Sequence, residues 1–546
     1  MAILPQYDTL VSTYPVTLWV SALGLTYIAH KSLKHLYSNH GSESALRWLP
    51  GPKPASFLLG NLGVIRTCTA DTLDQWLRDY GPTFTSAGFL RRRELFVIDL
   101  KALAFIYNQP LMFSKPPFLI NVARSLVGDG LLTVEGLVHR KQRKVMNPAF
   151  SMAHIRELTP LMTRHAKDLK DIWLDTVSKS TSGTAEIEVS EWLNRAALNI
   201  IGDAGFGYQF NALHDSSNEL AMAFHDLQST FSMVDLQGVL SMFFPILGRL
   251  PTARNKLVMR SKATMARIGM DMIERKKAEA EKLGEIDPRT LGKDLLSVLI
   301  RSNMKENPAE KLNDDAVLAV IATFILGGHE TVATATSWGL YALAKAPAVQ
   351  SKLRGELLAF PSDAPTMDEL NGLPYLDNVV KEILRLHAPV AVTRRTPLQD
   401  TMLPLATPVI NKEGKEVHEI FIRAGDSIVI HNRAGNTRAD LWGPTAHEFI
   451  PERFENLPDT VSEVPTLYGN TLSFNYGARG CIGWRMAVLE VKALLFALVR
   501  TFNFDIDPTL RIAVKMVLAA RPVVVGEEDK GPQLPLRVSL YKPVQL

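Results

Sequence analysis

The chain has 546 residues, of which 46% are apolar and 21% charged, a composition typical of a globular protein with a large core. The formal net charge is only +4, from 60 basic and 56 acidic residues, so the charge balance does not predict nucleic-acid binding. The two cysteines, Cys68 and Cys481, are too few for a disulfide framework or a four-cysteine metal site. A cysteine that does chemistry in this chain therefore acts alone.

The segment 1–40 has the pattern of a membrane anchor. Its apolar stretch at about residues 10–30 contains no Asp, Glu, Lys or Arg. About 20 such residues in a helix span a bilayer core. The basic residues Lys31 and Lys34 follow the stretch, which argues against a secretory signal peptide and places the main body in the cytosol. A buried helix is the remaining alternative.

Closely spaced prolines mark the next boundary. The run PGPKP at residues 50–54 predicts a stiff, extended segment, because proline fixes φ and removes a backbone donor. We therefore expect an anchor at 1–40, a proline-rich linker at 41–56 and a single domain at 57–546.

The pattern of that domain is mainly helical. The sequence DTLDQWLRDY predicts a helix ended by Gly81, and FTSAGFL and ELFVIDL predict a strand pair. Helical periodicity dominates residues 135–346, whereas 389–465 mix short strands and loops, and a last long helix after Cys481 precedes closing strands. This order predicts a mainly α fold with small β-sheets, of the α+β class. The apolar segment 231–251 is either a core helix with a break or a loop that dips into a bilayer.

The candidate chemistry is concentrated in the sequence FNYGARGCIG at residues 474–483. Its glycines allow backbone to approach a flat ligand closely. Cys481 opens an apolar helix, whose positive end stabilises a thiolate, and nearby backbone N–H groups can tune the sulfur. Arg479 supplies a cation for an acidic cofactor edge, and Phe474 supplies an aromatic wall. The loop therefore predicts a site for one soft, thiolate-bound metal.

This loop resembles the FxxGxRxCxG signature of the cytochrome P450 family. The fixed positions are occupied by Phe474, Gly477, Arg479, Cys481 and Gly483. A buried cysteine in an ordinary glycine-rich turn would not account for the other fixed residues. The resemblance implies that Cys481 is the axial ligand of the iron of haem b, whose thiolate donates electron density towards the iron. It also implies a cytochrome P450-like fold with an N-terminal transmembrane helix and a haem-binding catalytic domain.

Two further segments resemble the family's structural motifs. In the amphipathic helix predicted at residues 375–387, Glu382 and Arg385 stand at i and i+3 on one face. The sequence FIPERF, which contains Arg453, resembles the family's PERF motif. The resemblance implies that Glu382, Arg385 and Arg453 form a buried network that supports the cysteine loop and has a structural role.

A mostly apolar helix is predicted at residues 317–338, and it contains Gly327 and Gly328. Glycine in a helix costs roughly 1 kcal/mol against alanine, which predicts a compensating use, such as a widened turn with room for a diatomic ligand. With Glu330 and Thr331, this sequence resembles the family's (Ala/Gly)-Gly-x-(Asp/Glu)-Thr motif. The resemblance implies that these four residues are catalytic and that the acid and the alcohol deliver protons during oxygen activation.

Three basic side chains are expected at the haem propionates besides Arg479. The family commonly has Trp-x-x-x-Arg early in the domain; here Arg143 keeps the arginine, but His139 replaces the tryptophan and can still donate one hydrogen bond. Arg395 matches another propionate contact, and Arg394 is the less favoured choice by spacing. His329 is either a satisfied interior histidine or a groove histidine, and we give it no ligand role.

The resemblance is to fungal microsomal members of the family, and it implies a haem-thiolate monooxygenase. Such an enzyme inserts one atom of dioxygen into a lipophilic substrate by hydroxylation or epoxidation. Electrons are expected from NADPH through a separate reductase, since the chain has no dinucleotide or flavin fingerprint, with cytochrome b5 as a second candidate donor. The expected location is the endoplasmic reticulum membrane, single-pass, with the domain facing the cytosol and no nucleic-acid partner.

No motif in the sequence identifies the substrate. A terpenoid or another fungal secondary metabolite is our expectation, and a fatty-acid or xenobiotic hydroxylase is the alternative. A haem-thiolate isomerase or dehydratase is disfavoured by the intact motif at residues 327–331, and a non-catalytic haem or sterol binder is disfavoured further. We expect substrate contacts from residues 114–131, 206–244, the start of the helix at 317, and 389–394.

Overall fold

The computed structural model describes most of the domain predicted from the sequence. The described residues are 27, 45–67, 70–215, 217–232, 250, 252–284, 294–305, 311–516 and 518–542. Apart from Tyr27, the anchor predicted at residues 10–30 lies outside these residues, and so do Cys68 and most of the apolar segment 231–251. Among the described residues, one helix, Asp314–Lys345, is long and apolar enough to cross a membrane. Of its apolar 18-residue stretch, 61% is buried inside the protein. It is a core helix of this body.

Helices form most of the described chain, as the periodicity predicted. In chain order they are α1 Leu62–Thr67, α2 Ala70–Tyr80, α3 Leu100–Asn108, α4 Pro117–Val127, α5 Gly136–Met146, α6 Met152–Ser178, α7 Val189–Phe206, α8 Glu219–Ser232, α9 Ala253–Gly284, α10 Leu295–Lys305, α11 Asp314–Lys345, α12 Pro347–Ala359, α13 Met367–Asn371, α14 Pro374–Leu386, α15 Asn432–Asn436, α16 Ala439–Trp442 and α17 Trp484–Thr501. The predicted end of α2 is confirmed, because Gly81 has a φ of +75°, which a side chain would disfavour.

The strands form small sheets. They are β1 Thr83–Ala87, β2 Arg93–Val97, β3 Phe113–Ser114, β4 Thr184–Glu188, β5 Val392–Pro397, β6 Thr401–Ile410, β7 Glu416–Ile422, β8 Ser427–His431, β9 Phe502–Asp505, β10 Ile512–Met516, β11 Ala520–Val524 and β12 Pro535–Leu540. The largest sheet has the order β1-β2-β8-β5-β3, and the others are β4-β12-β9, β6-β7 and β10-β11. The predicted strand pair is confirmed as β1 and β2, which are antiparallel, with Thr83 opposite Val97. The fold is therefore helix-rich with small sheets.

The described part of the predicted linker packs on the body. Leu46 and Leu49 are buried against the sheet residues, and residues 50–54 form neither helix nor strand. Thr85 on β1 donates to the carbonyl of Pro50 from its backbone N–H, at 2.9 Å, and from its hydroxyl, at 3.2 Å. The sequence did not predict this attachment of the proline-rich segment to the domain.

Helix α11 runs through the centre of the helical core. The Asn313 side chain caps its first turn by accepting from the backbone N–H of Ala316. The helix packs closely along α7 at Gly328. A Cβ at that position would lie only 2.9 Å from Ile201, so the close packing requires a glycine. Helices α6, α7, α14 and α17 share this core with α11, so the helix that carries the predicted oxygen motif is held rigidly on several sides.

Candidate active site

The cysteine loop joins the end of the β-rich region to α17, and its backbone turns tightly. The backbone N–H of Cys481 donates to the carbonyl of Phe474 at 2.8 Å, and that of Gly480 donates to Gly477 at 3.0 Å. Gly477 has a φ of +68°, and a Cβ there would lie 2.6 Å from the carbonyl oxygen of Tyr107. The loop can therefore adopt this turn against α3 only with glycine at that position.

Cys481 is accessible as a residue, although protein atoms surround its thiol. Burial raises the pKa of this thiol, whereas a hydrogen bond from the backbone N–H of Gly483 and the positive charge of Arg143 lower it. The Arg143 guanidinium also donates to the carbonyl of Gly480 at 2.7 Å, so it braces the loop beside the sulfur. A buried thiol with these two stabilising contacts is suited to bind a metal cation as a thiolate.

Four cationic side chains gather around the loop. Burial lowers the pKa of each one, and in Lys115 it falls to about 8. The four are Lys115, Arg143, Arg395 and Arg479. Within the described chain, Glu135 is the carboxylate that contacts this cluster: Lys115 lies 3.4 Å from it, and Arg479 also bonds to it. The cluster therefore carries an excess of three positive charges in a buried place, which suits a ligand with two carboxylates.

His139 lies inside this cation cluster and is 6% exposed. Burial and, to a smaller extent, the charges of Arg479, Lys115 and Arg143 together lower its pKa to about 3. The imidazole is therefore neutral at physiological pH and can donate one hydrogen bond to a carboxylate without adding charge.

The two arginines of β5 have different neighbours. Arg394 forms an ion pair with Glu94 and lies 3.5 Å from the Ser427 hydroxyl. Arg395 is 5% exposed, and its charge acts on Tyr107 and Glu135. Consecutive strand residues point to opposite faces, so only Arg395 is directed towards the cation cluster.

The described residues thus fit the haem that the sequence resemblance implies. Cys481 provides the single soft ligand for the iron, and the cation cluster provides the charge that two propionates require. Arg479 also donates to the carbonyl of Val134 at 2.9 Å, which fixes the direction of its guanidinium. Lys115 and Glu135 were not predicted as site residues, because neither stands in a recognised motif.

The two glycines of α11 differ in their surroundings. A Cβ at Gly327 would meet nothing within 4 Å, whereas Gly328 packs on Ile201 of α7. The expectation of a widened turn is wrong, because α11 is an unbroken α-helix through this point. Space is left by the missing side chain of Gly327, and the Thr331 hydroxyl donates to the carbonyl of that residue at 2.6 Å.

The acid of the same motif is buried and paired. Glu330 is 2% exposed, and its Oε1 accepts from Nε of Arg521 on β11 at 2.8 Å. The sequence analysis did not identify Arg521, which is 191 positions away in the chain. His329 is an interior histidine whose Nδ1 bonds to the carbonyl of Ile325. The pKa of His329 is lowered to about 4, mainly by burial and also by the charge of Arg521, while the hydrogen bond to the Ile325 carbonyl partly opposes the shift.

Phe150 connects the cysteine loop to α11. A Cβ at Gly483 would lie 3.4 Å from the Phe150 ring, and that ring meets Phe324 of α11 edge-on, with centroids 5.1 Å apart. Phe324 lies one turn before Gly327. Phe150 therefore lies between the loop that carries the thiol and the helix that carries the open glycine.

The predicted structural network is fully buried at its centre. Arg385 bonds to Glu382 through Nε at 2.7 Å and through Nη2 at 2.9 Å, and Arg453 bonds to the same carboxylate at 2.9 Å. The Arg385 guanidinium also donates to the carbonyl of Asn436 at 3.1 Å. From there, Asn436 donates to the hydroxyl of Ser473 at 3.0 Å. The network thus reaches the residue immediately before the cysteine loop.

Segments predicted to contact substrate meet beside α11. A cavity of about 410 Å³ lies between α4, α8, α9 and α11. It is lined mainly by apolar side chains, including Val127, Phe224 and Ile325, with Asp129 and Lys262 among its polar groups. Three of the four predicted segments contribute to its lining.

Taken together, the accessible thiol, the cation cluster and the opposing helix define a haem-thiolate site. Comparison with known proteins agrees: a family model described as Cytochrome P450 matches residues 49–522. Cytochrome P450 monooxygenase 205 of Postia placenta is 40% identical over 92% of this chain and 94% of its own length. Cytochrome P450 monooxygenase claP of Ampulloclitocybe clavipes is 35% identical over 85% of this chain and 87% of its own length.

The chain belongs to the cytochrome P450 family and is a monooxygenase of the fungal type, an oxidoreductase. The family implies haem, and the residues around Cys481 fit that cofactor. Family membership also brings the general requirements of a redox partner, a lipophilic substrate and dioxygen.

Proposed function

We propose that the chain is an endoplasmic reticulum monooxygenase that hydroxylates or epoxidises a lipophilic secondary metabolite, with a terpenoid as the first candidate. The observation that carries the reaction class is the accessible Cys481 thiol beside the cation cluster, on a loop that Phe150 connects to α11. An isomerase or a passive binder would need the thiol, but it would not need the acid and alcohol that follow the open position at Gly327.

The roles of the site residues follow from their surroundings. Haem, when bound, supplies the activation of dioxygen that no side chain can perform. Cys481 would hold its iron, with the Gly483 N–H and Arg143 stabilising the negative charge on the sulfur. The cation cluster and the neutral His139 would hold the two propionates and fix the plane of the ring.

Proton delivery is assigned to α11. The Thr331 hydroxyl lies beside the open position at Gly327, where it can pass a proton to a bound small molecule. Glu330 is the adjacent acid, and its ion-pair partner Arg521 is partly exposed. The proposed route therefore runs from this side of α11 to the Glu330 carboxylate and then to the Thr331 hydroxyl, while Arg521 keeps its own proton.

Electrons are proposed to come from NADPH through a separate flavoprotein reductase, with cytochrome b5 as a second donor. Support comes from the exposed basic side chains of α5, Arg140 and Lys144, which suit an acidic partner. They flank Arg143, which contacts the cysteine loop, so a partner docked there would approach the haem edge. The proposed membrane location rests on the apolar stretch at residues 10–30.

The cavity beside α11 supports a lipophilic substrate. Its volume of about 410 Å³ falls within the usual range for small-molecule sites, and apolar side chains dominate its lining. The polar residues Asp129, Asn313 and Asp315 can orient a single oxygen function. A terpenoid skeleton with few polar groups matches this distribution, and a fatty acid or an aromatic xenobiotic is the second candidate class.

The test uses microsomes that contain this chain and a fungal NADPH reductase. Terpenoids, fatty acids and aromatic compounds would be supplied under labelled dioxygen, and the products would be analysed by mass. We expect one labelled oxygen atom in an NADPH-dependent product of a terpenoid. Labelled product from fatty acids alone would replace the substrate class, and turnover without label would overturn the monooxygenase reaction for this chain.

A further inference from the structure

The ion pair between Glu330 and Arg521 links two parts of the site that the family motif does not connect. The Glu330 carboxylate is on α11, and Arg521 is on β11 of the hairpin formed by β10 and β11. Besides the bond from Nε, Nη2 of Arg521 lies 2.8 Å from the same carboxylate oxygen. The Arg521 side chain is 19% exposed against 2% for Glu330, so the arginine lies between the buried acid and solvent.

The hairpin is attached to the same helix by a second contact. The indole N–H of Trp338 on α11 donates to the carbonyl of Ala520 at 2.7 Å. The backbone N–H of Ala520 donates to the carbonyl of Pro389 at 2.8 Å. Residues 389–394 are one of the segments expected to contact substrate, so this short stretch of β11 lies between the substrate segment and α11.

Glu330 and Thr331 are adjacent, and consecutive helix residues point about 100° apart. The Glu330 carboxylate is held towards β11, whereas the Thr331 hydroxyl bonds to its own helix at Gly327. The acid therefore has to leave Arg521, or pass its proton through water, before Thr331 can be supplied. The arginine controls both the charge and the direction of the acid.

We propose that Arg521 is a positioning residue for proton delivery, which holds Glu330 ionised and directed towards the hairpin. The inference rests on the proton-delivery role proposed for Glu330. The hairpin that carries Arg521 also bonds to Pro389. A substrate that displaces this hairpin would therefore change the ion pair between Arg521 and Glu330. In the part of the chain that the structure describes, charged or titratable neighbours include His329 on α11, whose pKa is lowered to about 4, and Lys515 on β10, which pairs across from Arg521.

The experiment compares Arg521→Met with two matched variants. Arg521→Lys keeps a cation at the position. Lys515→Met removes a cation from the same hairpin, and the Lys515 ammonium group donates to the exposed carbonyl of Glu528. The haem-loaded proteins would be compared by the pH dependence of coupling, meaning product formed per NADPH consumed. A second readout, independent of turnover, is the infrared band of a protonated carboxyl group, assigned by its loss in the Glu330→Gln background.

Removing the cation disfavours the ionised carboxyl, so Arg521→Met should move the pH at which coupling changes upwards by about one to three units. At neutral pH it should show a carboxyl band that is absent from the unmodified chain and from the double variant Glu330→Gln/Arg521→Met. Arg521→Lys should restore most of the original profile, and Lys515→Met should leave it unchanged.

An Arg521→Met protein with the profile of Lys515→Met and no new carboxyl band would overturn the positioning role. The proposed role of Glu330 is tested separately by Glu330→Gln alone. Unchanged coupling in that variant would remove Glu330 from proton delivery, and the infrared band would still report whether Arg521 sets its charge.

Discussion

Single residues explain why this chain can hold the two propionates of haem although His139 replaces the tryptophan that the family commonly has. Lys115 adds a cation that the motifs did not predict, and His139 remains neutral among positive charges because it is buried. A protonated histidine there would add a further unpaired charge. The neutral imidazole instead leaves the excess charge to side chains that can each form strong bonds to a carboxylate.

Lys115→Met should weaken haem retention. A hydrogen bond from a buried charged group contributes about 1.5–3 kcal/mol, so its loss should accelerate haem release by about tenfold or more. Burial lowers the pKa of Lys115 to about 8, and the propionates of bound haem would raise it again. In the haem-bound chain the cation is therefore present at neutral pH and is lost as the pH rises through a value above 8, so release from the unmodified chain should accelerate only in that alkaline range. Transfer of haem to an acceptor globin measures the rate.

The control for Lys115 is Lys179→Met, which removes an exposed lysine whose side chain is 74% accessible. It should leave haem release unchanged at every pH. An alkaline acceleration that persists in Lys115→Met would show that another group is responsible for it.

At this scale, motif residues were predictable and their partners were not. Short sequence motifs with recognisable spacing contain Cys481, Glu382 and Thr331. Lys115 and Arg521 reach the site from segments with no local pattern, because only tertiary packing brings them close. The sequence feature that could have pointed to Lys115 is that it is a basic residue in a segment predicted to contact substrate.

At the scale of elements, the two glycines of α11 serve different purposes. Gly327→Ala adds a methyl group to open space and should stabilise the helix by about 1 kcal/mol, yet it should reduce product formation by filling that space. Gly328→Ala should destabilise the protein by about 1–3 kcal/mol, because its Cβ would overlap Ile201. Thermal unfolding and product assays would separate the two effects.

The control repeats Gly328→Ala in an Ile201→Ala background, where the overlapping side-chain atoms are absent. There the added methyl group should cost less stability than it costs in the unmodified chain. Equal stability of the two single variants would contradict the assignment of open space to one glycine and helix packing to the other.

The buried network on α14 is the second prediction at this scale. Glu382→Gln would leave the guanidinium groups of Arg385 and Arg453 without a negative charge, and should cost about 3–5 kcal/mol. It should also lower the haem content, because the network extends through Asn436 to Ser473. Denaturant unfolding and the haem-to-protein ratio measure the two effects.

The matched control is Asp175→Asn, which breaks the exposed pair of Asp175 and Lys179 and should cost less than about 1 kcal/mol. Similar losses in the two variants would mean that the α14 network has no special role in supporting the loop.

The elements themselves were largely predictable from local pattern. Periodicity placed α2, the pair β1 and β2, and the long helix α11. It did not reveal that residues 45–54 pack on the body, because burial of Leu46 and Leu49 depends on a sheet assembled from later residues. It also misjudged α11 at Gly327, where a missing side chain alone provides the space.

At the scale of the whole molecule, the anchor remains a prediction. Removing residues 1–40 should shift much of the protein from the microsomal pellet to the supernatant while leaving the haem spectrum unchanged, because Leu46 and everything after it in the site belong to the body. Sedimentation of the full and shortened chains measures this. A shortened chain that stays fully in the pellet after a high-salt wash would place the membrane contact elsewhere.

The central claim is that Cys481 supplies the thiolate to haem iron, and the reduced carbon monoxide difference spectrum tests it most directly. Cys68→Ala and Cys481→Ala each remove one of the two cysteines in the chain, so each serves as the control for the other. We predict a thiolate-type spectrum in the unmodified chain and in Cys68→Ala, and its complete loss in Cys481→Ala. A thiolate-type spectrum that survives in Cys481→Ala would contradict the account.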